Sequence, residues 1–111
     1  MAKVKLENTK AISVNRCWQG RRFKTKDYTS YETTLWYKLP KSMEIPEGRL
    51  CLSLRFGVSS SLSDTDNLIK PLQDILQKKY NFNDKLIDEL HAKKEKVDKG
   101  HEFIEFEITN V

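Results

Sequence analysis

The chain reads as one α/β domain of the α+β kind, a small mixed or antiparallel sheet of about four strands packed with two main helices. Three observations predict it. Leu50, Leu52, Leu54, Phe56 and Val58 alternate without a break with Cys51, Ser53, Arg55 and Gly57, the period of a half-buried strand. Leu68, Leu72, Ile75 and Leu76 fall at i, i+4, i+7 and i+8, one apolar stripe on a helix. A length of 111 residues leaves room for a single modest core, which self-association would help.

The remaining elements follow in order. Val4, Leu6 and Ile12 among lysines and polar residues suggest a first strand or hairpin arm. Tyr28, Tyr31, Leu35 and Leu39 stand at helical spacing, with Asp27 as the expected N-cap and Pro40 as the stop. That aromatic stripe serves a core or a dimer surface. Pro46 and Gly48, following Pro40, make 41–48 a connecting loop. Pro71 lacks an N–H and clashes with the carbonyl four residues back, so a late helix start or a kink is expected near Asn67. After a turn at 81–84, Leu86 to Ala92 reads as a strand with two mixed faces. Ile104, Phe106 and Ile108 alternate with glutamates in a closing strand beyond the turn Asp98-Lys99-Gly100. These last two strands are expected to pair as an antiparallel hairpin.

Composition narrows the function classes. Twenty Lys+Arg and a net charge of +4 suit a polyanionic partner without requiring one. Cys17 and Cys51 lack the C-x-x-C spacing of a zinc site or disulfide framework. No apolar run approaches the ~20 residues that span a bilayer, and the expected location is cytoplasmic, with no membrane partner. His91 and His101 read as surface or hydrogen-bonded polar residues.

The chemistry concentrates in 63–74. Asp64 and Asp66 sit one residue apart at the mouth of the second helix, where free N–H groups and the positive end of the dipole favour carboxylates. Such a pair is either a cap with a solvated loop acid or two hard oxygen ligands converging on Mg²⁺ or Mn²⁺. A metal site needs a third carboxylate, and Asp84, in the turn before the next strand, is the best candidate. Asp74, eight residues beyond Asp66, lies roughly 12 Å along the helix and is too far to share a ligand shell. Lys70, i+4 from Asp66, either forms a helix ion pair or neutralises phosphate charge. Upstream, Asn15, Arg16, Arg21, Arg22, Lys24 and Lys26 interleave with Trp18 and Phe23 around Gly20. A loop or ribbon of this kind sets cations on phosphates and an aromatic against a base, or is a solvated basic loop with its aromatics turned inward.

The pattern D-x-D-N-x-x-K-x-x-x-D-x-L over Asp64, Asp66, Asn67, Lys70, Asp74 and Leu76 resembles the RusA-type Holliday junction resolvases. So do Asn83-Asp84 before a strand and Ser13-Val14-Asn15-Arg16 near the start, and the likeness spans about residues 12 to 94. Two positions depart from the family pattern. Asn83 replaces the first acid of an acidic pair, and Ser63 stands where a basic residue often precedes the first aspartate.

The resemblance implies a homodimeric, Mg²⁺-dependent endodeoxyribonuclease that resolves four-way DNA junctions by paired symmetric nicks. Asp64, Asp66 and Asp84 would be metal ligands, Lys70 a catalytic cation, and Asn67 and Asp74 supporting residues. Three such carboxylates gathered without metal would repel one another. A non-catalytic DNA-binding module and a less selective metal nuclease are the alternative readings.

Overall fold

Alternation in the sequence becomes a four-stranded sheet in the computed structural model, which describes residues 2–20, 23–60 and 64–111. Its strands are β1 (Ala2–Glu7), β4 (Leu50–Val58), β5 (Ile87–Lys96) and β6 (Phe103–Asn110); β2 (Trp18–Gln19) and β3 (Phe23–Lys24) form a separate ribbon. The sheet order is β1-β6-β4-β5, with β6 antiparallel to both neighbours and β5 parallel to β4.

Leu50, Leu52, Leu54 and Phe56 of β4 join Ile104, Phe106 and Ile108 of β6 on one buried face. Two helices cover it, α1 (Lys26–Lys38) with Tyr28, Tyr31 and Leu35, and α2 (Thr65–Tyr80) with Leu68, Leu72, Ile75 and Leu76. The aromatic stripe of α1 is therefore core. The opposite sheet face is polar and cross-linked by charge: Arg55 reaches Glu105 at 3.2 Å and Glu95 at 3.4 Å. Phe103 lies on that face over Gly57, with the Lys5 ammonium 4.6 Å and the Arg55 guanidinium 4.9 Å from its ring centre.

Three expectations need correction. The N-cap of α1 is Thr25, whose hydroxyl accepts the Tyr28 N–H at 3.1 Å; Asp27 lies in the first turn, where it favours the dipole and pairs with Arg16. The second helix starts at Thr65 and runs unbroken through a buried Pro71, because packing of the apolar stripe outweighs one lost backbone bond. The last two strands do not form a hairpin. The strongly apolar β6 needs a neighbour on each edge and takes the place between β1 and β4, leaving the charged β5 on the outside. Turn chemistry at Gly100, with φ of 95°, is as expected, but the turn carries the chain across the end of β4 rather than back along β5.

Candidate metal centre and nucleic-acid interface

A parallel β4–β5 pair requires a crossover, and α2 supplies it. Its N-terminus lies beyond the Val58 end of β4 and its C-terminus beyond the Ile87 start of β5. Asp64 is the N-cap in extended conformation, φ −71° and ψ 146°, yet its side chain makes no capping hydrogen bond. Asp66 lies in the first turn. Both are exposed, and neither carboxylate has a hydrogen bond or ion pair among the described residues. Lys70 turns away from Asp66 and pairs with Asp74 at 3.0 Å. The helix ion pair that the i+4 spacing from Asp66 offered is therefore not the one formed; Lys70 takes Asp74, one turn further on. Asn67 is half-buried beside them.

Asp84 sits elsewhere. It opens a short 3-10 turn, Asp84–Leu86, whose cap is Asn83; the Asn83 side-chain oxygen accepts the Lys85 N–H at 2.9 Å. Asn and Asp serve equally as such a cap, so this departure from the family pattern has a simple structural role. Asp84 is exposed and without a side-chain partner among the described residues. The sixteen residues of α2, at about 1.5 Å each, separate the two ends by roughly 24 Å. One subunit therefore brings Asp64 and Asp66 together and holds Asp84 apart. Among the described residues no group of three His, Cys, Asp or Glu side chains could hold a metal ion.

A cleft of about 390 Å³ opens beside the N-terminus of α2, lined in part by Lys10, Arg16, Ser59, Leu68 and Glu102. Sequence reasoning passed over Glu102, which looks like one more polar position in an alternating strand. It is a buried carboxylate, accepting from Ser59 Oγ at 2.7 Å and from the Gly100 N–H at 3.0 Å. The Ser59 hydroxyl first, and then backbone N–H groups, hold its carboxyl below the usual range. It anchors the loop between β5 and β6 to the end of β4.

The basic segment starts at this same end. Asn15 and Arg16 are exposed on a 3-10 turn, Val14–Arg16, capped by Ser13, and Arg16 pairs with Asp27 at 2.8 Å. Lys24 is held by Glu32 at 2.9 Å and lies 5.3 Å from the centre of the Tyr28 ring. Lys26 is exposed. Trp18, 44% exposed, packs edge-on against Tyr28, whereas Phe23 is 73% exposed. Both rings are exposed, Phe23 the more so. Arg21, Arg22 and Ser63 lie outside the described residues.

The mouth of α2 thus carries two exposed carboxylates without a partner among the described residues, beside a cleft lined in part by Lys10 and Arg16. The family model for endodeoxyribonuclease RusA matches residues 7–109, nearly the whole chain. The protein belongs to the RusA family of endodeoxyribonucleases, Holliday junction resolvases that hydrolyse DNA with the aid of metal ions. A search of curated proteins finds no match. Among the described residues, no helix is long and apolar enough to cross a membrane.

Proposed function

We propose that the protein is a Mg²⁺-dependent resolvase that acts as a two-fold dimer and nicks opposite strands of a four-way junction. The observation that carries this reading is the pair of carboxylates, Asp64 and Asp66, with no partner among the described residues, at the mouth of α2 in a chain of this family. Their donor set is hard oxygen on an open rim, which suits Mg²⁺ with Mn²⁺ as a substitute. Asp84 is the third proposed ligand. The bound ion would supply Lewis acidity, acidifying water and neutralising the scissile phosphate.

The chain's own residues do the rest. Asp64 and Asp66 would hold the ion at the mouth of α2. Lys70, 68% exposed at its side chain, exchanges Asp74 for a phosphate oxygen as the strand docks. Arg16 and Lys10, with Lys24, Lys26, Arg21 and Arg22 from the basic segment, bind flanking phosphates. Such contacts read junction shape rather than base sequence. A C₂ dimer matches the symmetry of the junction with one site per strand to be cut.

The test is cleavage of a labelled synthetic four-way junction beside a linear duplex of the same arms, in Mg²⁺. Symmetric nicks confined to the junction are expected. Asp66→Asn should abolish them while leaving junction binding intact. Equal cutting of the duplex would refute junction selectivity, and an active Asp66→Asn would refute the metal site.

A further inference from the structure

The first helix has aromatic surface that the core does not use. Its buried stripe is Tyr28, Tyr31 and Leu35; outside that stripe Glu32, Thr33, Trp36 and Tyr37 wall an open recess of about 330 Å³. Trp36 is 44% exposed and Tyr37 is 83% exposed, so two large rings stand next to each other in water. Lys79 orders the first of them. Its ammonium lies 4.8 Å from the centre of the Trp36 ring and donates to the Trp36 carbonyl. A cation held against an indole fixes its plane and leaves the exposed part of the ring for a second flat group.

Charge around the recess has one sign in excess. Glu32 is shared by Lys24 at 2.9 Å and Lys78 at 3.4 Å, and Lys79 adds a third ammonium beside Trp36. One carboxylate among three lysines leaves a positive rim. A positive rim around exposed rings fits a polyanion that itself carries flat rings, the chemistry of a nucleic-acid strand with its bases unstacked. A duplex would offer phosphates to the rim but no free base face to the rings.

The second helix joins this recess to the mouth of α2. Asp66, Lys70, Asp74 and Lys78 follow one another at intervals of one turn, and Lys78 brings the row to Glu32. Asp66 and Lys79 are 13 residues apart, roughly 20 Å along the axis at about 1.5 Å per residue. At the ~3.4 Å per nucleotide of a duplex strand, that length corresponds to about six nucleotides.

We propose that the recess at Trp36 and Tyr37 is a binding site for single-stranded DNA, in which a base stacks on the exposed rings while Lys78 and Lys79 take the flanking phosphates. The choice of DNA rests on the nuclease reading above; the site itself uses none of the proposed catalytic residues. It would hold a strand unpaired near the branch point at a distance from the bonds to be cut.

The probe is a labelled oligothymidylate of about twelve nucleotides, within the ~4–16 that such sites cover, titrated by anisotropy in EDTA so that no strand is cut. Trp36→Leu keeps apolar bulk and removes the stacking face, whereas Trp36→Phe keeps a ring. The first should weaken binding about fivefold or more, and the second should stay close to wild type. Tyr37→Ala, at a position too exposed to disturb the fold, should weaken binding as Trp36→Leu does. Lys78→Ala and Lys79→Ala should each lower the slope of log affinity against log salt by about 0.7. Neither aromatic change should move the affinity for a blunt duplex of the same length, whose bases are already stacked.

Failure of the wild type to bind the oligonucleotide overturns the proposal. So does unchanged affinity in Trp36→Leu and Tyr37→Ala, or an equal loss on the duplex. A fall in sedimenting mass of these variants in place of lost affinity would mark the face as a contact between copies and overturn it too. Wild-type protein that binds the strand through Trp36 yet cuts no junction would refute the nuclease reading and leave this site standing.

Discussion

Gly57 is in place because Phe103 sits on it. A Cβ built at Gly57 would meet two atoms of the Phe103 ring at 2.3 Å, well inside contact distance. The ring has little room to retreat, since Phe103 is only 6% exposed and lies between the Lys5 ammonium and the Arg55 guanidinium. Gly57→Ala should therefore destabilise by about 1–3 kcal/mol, the usual range for overpacking. At about 4 °C per kcal/mol for a chain near this size, the melting temperature should fall by roughly 4–12 °C. The mechanism predicts non-additivity. In a Phe103→Ala background the obstruction is gone, and Gly57→Ala should become neutral, or stabilising by ~0.5–1 kcal/mol, because alanine loses less backbone entropy in a strand. Urea unfolding of the four proteins in the cycle measures this. An equal loss in both backgrounds would refute the steric argument and move the cause to the backbone of β4.

Three further outcomes are expected. The Tyr31 hydroxyl is buried without a hydrogen-bond partner among the described residues, and burial pushes its pKa far above the usual tyrosine value; Tyr31→Phe should stabilise the fold by about 1 kcal/mol in urea unfolding. The Glu102 pKa is depressed from its ordinary 4.5, so its contribution is present above that value and lost as pH falls through the folded one. Glu102→Gln should flatten stability against pH below about 4.5, and an unchanged acid limb would refute the assignment. Under the proposed function, Mg²⁺ at a hundredfold excess over its dissociation constant should stabilise the wild type by about 2.7 kcal/mol relative to EDTA at matched ionic strength. Asp66→Asn should abolish that shift, as melting curves would show.

Much of this protein is legible without coordinates. β4 announces itself by uninterrupted alternation, α2 by its apolar stripe, and the Asp64/Asp66 pair by a spacing that local helix-capping physics and the family pattern both explain. These are short-range properties: side-chain period, terminal N–H groups and dipole are set within a few residues. The helix through Pro71 shows the limit, since propensity was overruled by burial of Leu68, Leu72, Ile75 and Leu76. Strand order was the larger miss. β5 and β6 are adjacent in sequence with a glycine turn between them, and local reasoning pairs such strands. Only competition for the core settles that the apolar β6 takes the interior and the charged β5 the edge.

That decision also governs the site. Once β5 runs parallel to β4, the crossover helix must start at one end of the sheet and finish at the other, which parts Asp84 from Asp64 and Asp66. The proposed ligands are carboxylates written in the chain; the distance between them belongs to the topology, because it is set by which strands share hydrogen bonds and not by any residue's own preference.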